Sequence, residues 1–185
     1  MEKNKKLIIG LVGETGSGKD TVANYLQEKY NANLMRFADP LKDTLKIYFD
    51  EISKKDQQWL ALEFRKRFGA DILGKALRKK IENGEGIISI NGLRMPEDYA
   101  FVKSFENSFI IYITADQELR WKRTTTRGEK TADHLDLAHF QELERAETEV
   151  HIPEIGAKAD FTIRNEKDLE HLLSETDKIM ASIMQ

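Results

Sequence analysis

Short apolar runs and longer amphipathic segments alternate along the chain. The short runs predict buried strands of a parallel sheet, and the segments with apolar residues every three or four positions predict helices. This alternation from end to end is typical of an α/β protein with helices on both faces of a largely parallel sheet. The predicted strands are Leu7–Val12, Asn33–Phe37, Ile87–Ile90, Phe109–Ile113 and Phe161–Arg164.

Helix-capping residues and helix-breaking glycines set the predicted helix boundaries. Asp39 followed by Pro40 predicts a helix with Asp39 as its cap. The pattern stays helical from Lys54 to Asn83, where glycines end it. Other helices are expected after residue 19, from Pro96 to about Lys103, from an Asp116 cap to about Arg127, from Leu137 to about Val150, and at the C-terminal end. Expected packing residues include Leu41, Leu45, Tyr48, Phe49, Trp59, Trp121, Leu169, Leu172, Leu173, Ile179, Met180 and Ile183.

The composition fits a globular protein with one compact domain over residues 1–185. Of the 185 residues, 40% are hydrophobic and 33% are charged, which is typical of a globular protein. The net charge is −3, so the chain has no excess of basic residues of the kind found in nucleic-acid-binding domains. The absence of cysteine excludes disulfides, thiolate zinc sites and cysteine nucleophiles. No window reaches 18 apolar residues, and the apolar run after the basic start is too short for a signal peptide. We expect a cytoplasmic protein with no membrane span and no nucleic-acid partner.

A glycine-rich loop follows the first predicted strand. Residues 13–20, Gly-Glu-Thr-Gly-Ser-Gly-Lys-Asp, nearly match the phosphate-loop pattern of Gly, four residues, Gly, Lys, then Ser or Thr. Glycines let successive backbone N–H groups point into one concavity, the following helix adds its positive end, and Lys19 supplies a full charge. The pattern predicts a nucleoside triphosphate site made of Gly13, Glu14, Thr15, Gly16, Ser17, Gly18, Lys19, Asp20 and Thr21.

The loop departs from the pattern at Asp20, which stands where a magnesium-binding hydroxyl is usual. A carboxylate can bind Mg²⁺ directly or through water, but without the metal it repels a triphosphate. We therefore expect Asp20 to be a metal ligand and nucleotide binding to depend strictly on Mg²⁺. Thr21 is the neighbouring hydroxyl and replaces Asp20 only if the register slips.

Several segments resemble known kinase families. Gly-Ser-Gly-Lys-Asp-Thr (16–21), Phe-Ala-Asp-Pro-Leu-Lys (37–42) and Gly-Leu-Arg-Met-Pro-Glu (92–97) resemble phage-type deoxynucleoside monophosphate kinases. The stretches 69–77, 123–127 and 159–165 are similar to kinases grouped with dephospho-CoA kinase. The resemblance implies a three-layer P-loop fold with a five-stranded parallel sheet and Mg²⁺-ATP as donor. It also implies a helical acceptor-binding region at about 38–83, a mobile lid at about 128–140 and a nucleotide-like acceptor.

The resemblance also suggests roles for single residues. Relatives usually end the third strand with aspartate, whereas this chain has Asn91, so Asp20 would replace that carboxylate on the other side of the metal. The match to dephospho-CoA kinase implies a base at Asp39, which helix capping alone would also explain. Asn165, after the fifth strand, is expected near the adenine ring.

Arginines supply the remaining candidate site residues. Arg120, Arg123 and Arg127 share one helical face, and planar guanidinium groups suit the charge spread over a transferred phosphoryl group. We expect Arg123 and Arg127 to act in catalysis and Arg120 to bind the donor, against the alternative of a solvated charged face. The candidates for binding the acceptor are Arg36, Asp39, Arg94 and Arg145.

The leading hypothesis is therefore a kinase that moves the γ-phosphoryl group of ATP to a small nucleotide-like acceptor. A monophosphate acceptor needs arginines, whereas a hydroxyl acceptor such as dephospho-CoA benefits from a base such as Asp39. The chain offers both, and the matches at 16–21 and 37–42 favour a (deoxy)nucleoside monophosphate. A nucleotide-binding regulator or simple NTPase switch is the alternative from another class.

Overall fold

A parallel sheet forms the centre of the molecule. The computed structural model describes residues 6–126, 136–147 and 149–184. In this part of the chain the sheet has five strands in the order β2-β3-β1-β4-β5, and every adjacent pair is parallel. The strands are β1 (Leu7–Val12), β2 (Asn33–Arg36), β3 (Ile87–Leu93), β4 (Ser108–Thr114) and β5 (Phe161–Arg164).

Helices follow the strands and cover both faces of the sheet. They are α1 (Lys19–Tyr30), α2 (Asp39–Lys46), α3 (Lys54–Phe68), α4 (Ile72–Glu82), α5 (Pro96–Lys103), α6 (Gln117–Thr126), α7 (Leu137–Glu144), α8 (Ile152–Ala157) and α9 (Leu169–Ile183). The expected α/β fold with a five-stranded parallel sheet is confirmed. None of the helices within the described ranges is long and apolar enough to cross a membrane.

The alternation of side chains along β1 divides the core between the two faces. Ile9 and Leu11 pack with Val22 and Leu26 of α1 and with α9, whereas Ile8 packs on the opposite face with helices α2 to α5 and α8. Every residue of β1 is buried, which agrees with the continuous apolar run in the sequence. The result is a three-layer sandwich in which α1 lies on one face and the helices between β2 and β3 on the other.

The strand order places a crevice at the carboxyl end of β1. The chain passes from β1 to β2 at one edge of the sheet and then returns to insert β3 between them, while β4 lies on the other side of β1. In open parallel sheets, ligands bind at such a reversal of strand order. A register shift follows the pair Leu11–Asn91, where Gly92 adopts a φ of 89°. This bulge sets the backbone that leads from Asn91 to Arg94 at the same edge.

Several sequence expectations about helices are wrong. Asp39 is the first residue of α2 rather than its cap, because its carboxylate accepts a hydrogen bond from the backbone N–H of Arg36 at 2.7 Å. The helical stretch from Lys54 to Asn83 is two helices, since Gly69 adopts a φ of 101° after α3. The helix expected to reach Val150 ends at Glu144.

Some apolar residues also lie outside the core. Helix α2 ends at Lys46, so Tyr48 and Phe49 fall in the exposed loop after it rather than on its inner face. Trp59 is 59% exposed on α3, and Leu169 is 58% exposed in the first turn of α9. These residues therefore do not fulfil the expected packing role.

Candidate functional site

The glycine-rich loop joins the buried end of β1 to the first turn of α1. Gly16 and Gly18 have φ values of 79° and 100°, and side chains rarely adopt this left-handed region. A Cβ on Gly16 would lie 2.4 Å from the carbonyl oxygen of Arg120, so the close approach of α6 also requires glycine. The N–H of Ser17 donates to the Glu14 carbonyl at 3.1 Å and closes the turn. The loop thus has the geometry expected of a phosphate-binding loop.

Two polar side chains hold this loop from the neighbouring strand ends. Asn165, buried after β5, donates its amide N–H to the carbonyl of Ser17 at 2.8 Å. Arg120, at 6% exposed, donates to the carbonyls of Ala115 and Thr15 at 3.0 and 3.3 Å and pairs with Glu144 of α7. Both predicted donor-site residues therefore contact the loop backbone in this structure.

The side chain of Glu14 faces β4. The Tyr112 hydroxyl donates a short hydrogen bond to Glu14 Oε1. Burial, together with this hydrogen bond to a carboxylate, raises the pKa of Tyr112 to about 12. Tyr112 in turn packs against α8, where a Cβ on Gly156 would lie 2.6 Å from the ring. The β4 tyrosine therefore fixes one side chain of the phosphate loop.

Asp20 and Asn91 meet at the carboxyl edge of the sheet. The Asn91 side-chain N–H donates to Asp20 Oδ1 at 2.6 Å, and Lys19 Nζ lies 3.7 Å from Asp20 Oδ2. Asn91 is 3% exposed, and its side-chain oxygen is buried without a hydrogen-bond partner. One carboxylate oxygen and one amide oxygen suit Mg²⁺, which in nucleotide sites takes one or two protein ligands together with phosphate oxygens. The donor set at this edge therefore fits the expected metal.

A cavity of about 240 Å³ opens beside Lys19 and Asp20. Its walls come from the end of β2, from α2, α3 and α4, and from the β3–α5 connection. Apolar side chains form much of its lining, together with the amides of Gln57 and Gln58 on α3. The charged residues that line it are Lys19, Asp20, Arg36, Arg65, Arg94, Asp98 and Glu147.

Two of the arginines in this cavity are held by carboxylates. Arg65 of α3 donates to Asp98 Oδ1 at 2.9 Å, and the other Asp98 oxygen accepts from the backbone N–H groups of Arg94 and Met95 at 3.0 and 3.1 Å. The Arg94 guanidinium pairs with Glu149 in the turn after α7. Burial lowers the pKa of Arg94, and the nearby charges of Asp98 and Asp20 act in the opposite direction.

The structure separates the sequence candidates into groups. Arg36 and Arg94 line the cavity, and Asp20 lies between the cavity and the loop. The carboxylate of Asp39 is turned back towards the Arg36 backbone, and Arg145 is exposed at the end of α7, so neither lines the cavity. Arg123 is half-buried on α6. Arg127 and most of the expected lid at 128–140 lie outside the described residues.

Four residues at the site were not predicted from the sequence: Arg65, Asp98, Glu149 and Tyr112. Asp98 had a usable signal, since an acidic residue three positions after Met95 and two after Pro96, at the start of a helix, is a capping pattern. Arg65 lies in a run of charges that resembled a solvated helix face, and its pairing with Asp98 spans 33 residues. Local patterns contain no signal for such a distant pair.

Comparisons with known proteins agree with this geometry. A family model described as deoxynucleotide monophosphate kinase matches residues 6–75, which include the phosphate loop and part of the cavity wall. The solved shikimate kinase of Acinetobacter baumannii, in complex with shikimate, covers 98% of this chain and 94% of its own with a TM-score of 0.61 at 15% identity. At that identity the likeness establishes the fold alone. The fold, the phosphate loop and the family match together support a P-loop kinase.

Curated relatives extend over nearly the whole chain. The dephospho-CoA kinase of Fusobacterium nucleatum is 27% identical over 211 residues, covering 96% of this chain and 98% of that protein. A UPF0200 protein of Methanocaldococcus jannaschii is 26% identical over 181 residues, covering 96% and 91%. The resemblance to nucleotide kinases seen in the sequence motifs is confirmed.

Proposed function

We propose that the protein transfers the γ-phosphoryl group of Mg²⁺-ATP to a (deoxy)nucleoside monophosphate held in the cavity. The observation that carries the proposal is the position of this cavity. It opens directly beside Lys19 and Asp20, and arginines from both the helical region 38–83 and the end of β3 line it. Donor and acceptor phosphates would thus meet at one crevice, and phosphoryl transfer depends mainly on such alignment and charge neutralisation.

On the donor side, residues 13–21 would bind the triphosphate with backbone N–H groups and with the Lys19 ammonium. Asp20 and Asn91 would hold Mg²⁺, which supplies charge neutralisation at the phosphate oxygens when bound. Asn165 and Arg120 would keep the loop in place through their contacts with the Ser17 and Thr15 carbonyls. Arg123, on the helix that packs on the loop, would approach the transferred group, and we assign the same role to Arg127.

The acceptor side favours a monophosphate over a hydroxyl. A hydroxyl acceptor would use a carboxylate base beside the reacting oxygen. Asp39, the sequence candidate for that base, accepts the Arg36 N–H at 2.7 Å and does not line the cavity. Arg36 and Arg65 do line it, and guanidinium groups suit an acceptor that is already ionised.

Dephospho-CoA is the second candidate acceptor, because the full-length similarity to the Fusobacterium nucleatum enzyme favours it. An acceptor screen with Mg²⁺-ATP over deoxynucleoside monophosphates, ribonucleoside monophosphates and dephospho-CoA separates the two. We expect ADP formation that depends on a monophosphate, with Lys19→Met lowering the rate at least about 100-fold. Lys79→Met, at an exposed position of α4, serves as the control. ATP turnover that no acceptor changes would contradict the proposal and favour an NTPase switch.

A further inference from the structure

The charged groups around the acceptor cavity balance one another. Lys19, Arg36, Arg65 and Arg94 contribute four positive charges, and Asp20, Asp98 and Glu147 contribute three negative charges. Glu149, which pairs with Arg94, adds a fourth negative charge at the wall. A cavity for a phosphorylated acceptor is thus formally neutral, although a phosphate group is bound best by an excess of positive charge.

Backbone hydrogen bonds fix the position of Glu149 beside Arg94. Its N–H donates to the Ala146 carbonyl at 2.8 Å, and its own carbonyl accepts from the N–H of Ile152 at 3.0 Å, so the turn between α7 and α8 is fixed on both sides of it. The Glu149 side chain is 12% exposed, and that of Arg94 is 30% exposed. The carboxylate therefore reaches Arg94 from a hydrogen-bonded turn at the edge of the site.

Arg94 also lines the acceptor cavity. Arg94 follows the bulge at Gly92, and its backbone N–H is tied to Asp98 at 3.0 Å. A guanidinium carries five N–H donors in one plane and can bind a phosphate in a bidentate manner. Because Arg94 is paired with the Glu149 carboxylate and Arg65 with Asp98, an acceptor phosphate must compete with Glu149 for Arg94 or rely mainly on Arg36.

We propose that Glu149 is a specificity-determining residue of the acceptor site, which pairs with Arg94 and competes with the anionic group of the acceptor. The inference rests on the proposed function, in which this cavity takes a phosphorylated acceptor. Glu149 lowers the affinity of the site for any small phosphate dianion. It thereby favours acceptors that gain additional binding from the apolar lining and from Gln57 and Gln58.

Inorganic phosphate is the probe that tests this competition. The full chain is first saturated with Mg²⁺ and a non-hydrolysable ATP analogue, so that phosphate cannot enter the donor loop, and phosphate binding is then titrated by calorimetry. We expect Glu149→Gln to bind phosphate about fivefold more tightly than the wild type, with a steeper dependence on salt. The matched control Glu142→Gln, at an exposed position of α7, should keep the wild-type affinity.

A second variant shows whether the gain acts through the arginine. In the double variant Glu149→Gln with Arg94→Met, the tighter phosphate binding caused by Glu149→Gln should disappear. Unchanged or weaker phosphate binding in Glu149→Gln, or a gain that persists without Arg94, would overturn the inference. If Glu149→Gln does not fold, Glu149→Asp keeps the charge but shortens its reach, and a gain of about twofold is then expected, whereas no gain counts against it.

Phosphate binding needs no phosphoryl transfer, so the two proposals fail separately. An inactive protein with tighter phosphate binding in Glu149→Gln would overturn the proposed function alone. Normal transfer to a monophosphate, with unchanged phosphate binding in Glu149→Gln, would overturn only the role of Glu149.

Discussion

Asp20 adds a negative charge to the loop that is proposed to bind a triphosphate. The Lys19 ammonium lies 3.7 Å from Asp20 Oδ2 and the Asn91 amide donates to Oδ1, but neither contact removes the repulsion between this carboxylate and phosphate oxygens. A divalent cation between them turns the repulsion into attraction. The identity of this one residue therefore decides how strongly nucleotide binding depends on the metal.

We predict that removing Mg²⁺ weakens the binding of a non-hydrolysable ATP analogue by at least about tenfold in the wild type. In Asp20→Asn the removal of Mg²⁺ should weaken the binding of the analogue only about threefold, because residue 20 then carries no charge that repels the nucleotide. Calorimetric titration with Mg²⁺ and with a chelator measures both ratios. Glu28→Gln, at an exposed position of the same helix, is the control and should behave as the wild type. Equal wild-type affinity with and without Mg²⁺ would refute the prediction.

Tyr112 couples the stability of the loop to alkaline pH. Its pKa is raised to about 12 by burial and by the Glu14 carboxylate, so the folded state holds the phenolic proton more tightly than the unfolded state does. The corresponding stability is fully present below about pH 10, the usual tyrosine pKa, and is lost as the pH rises through about 12. The pKa of Tyr30 is also raised to about 12. Because Tyr30 is present in both the wild type and a Tyr112 variant, its contribution to stability is the same in both proteins.

We predict that Tyr112→Phe is about 1 kcal/mol less stable than the wild type at pH 8, because Glu14 loses its hydrogen-bond donor. The difference should shrink as the pH approaches about 12, where the wild type loses the contribution of the tyrosine. Urea unfolding at a series of pH values measures the free energy of unfolding of both proteins. Tyr48→Phe, in the exposed loop after α2, should follow the wild-type curve. A difference in the free energy of unfolding that stays constant across the pH range would contradict the raised pKa of Tyr112.

At the scale of elements, the sequence predicts the strands better than the helix ends. β1 and β5 have the predicted bounds, because a continuous apolar run between breakers is a local signal. The pattern of apolar positions did not reveal the break between α3 and α4 at Gly69, since both helices present apolar residues with the same period. The phosphate loop was predictable for the same local reason, whereas the pairing of Arg65 with Asp98 depends on how α3 and α5 pack.

Helices α6 and α7 are joined by a polar contact that reaches the phosphate loop. Arg120 of α6 donates to the Thr15 carbonyl and pairs with Glu144 at the end of α7, and Gln117 also donates to Glu144 at 2.7 Å. The Arg120 guanidinium lies 5.8 Å from the ring centroid of Phe140, which is buried on α7. The position of α7 thus sets the orientation of an arginine that supports the donor loop.

We predict that Glu144→Gln raises the KM for ATP about tenfold and leaves the KM for the acceptor unchanged, because a weaker partner lets Arg120 move from the loop. Steady-state kinetics with each substrate varied in turn measures this split. The conservative variant Glu144→Asp should recover part of the ATP affinity, and Glu142→Gln should have no effect. A fall in melting temperature with both KM values unchanged would mean that the contact only stabilises the fold.

At the scale of the whole molecule, the phosphate loop and the acceptor cavity lie on different faces of one sheet. The loop and α1 belong to the face that also packs α9, whereas the cavity is lined by α2, α3 and α4 on the opposite face. Among the described residues they meet at the carboxyl edge, where Lys19 and Asp20 line the cavity and Asn91, which also lines it, contacts Asp20. Topology alone predicts a crevice at this edge, but which helices wall the acceptor cavity depends on packing that no local pattern encodes.

This division predicts a two-part pattern of amide hydrogen exchange. A non-hydrolysable ATP analogue with Mg²⁺ should slow exchange in residues 13–23 and at the start of α6, because ligand binding suppresses local opening of the elements it contacts. A deoxynucleoside monophosphate added afterwards should slow exchange mainly in residues 36–41, 57–65 and 91–98. The exposed face of α9 should not respond to either ligand, and it serves as the internal reference. Protection of residues 57–65 by the ATP analogue alone, with no further change on adding any monophosphate, would mean that the cavity is not a separate acceptor site.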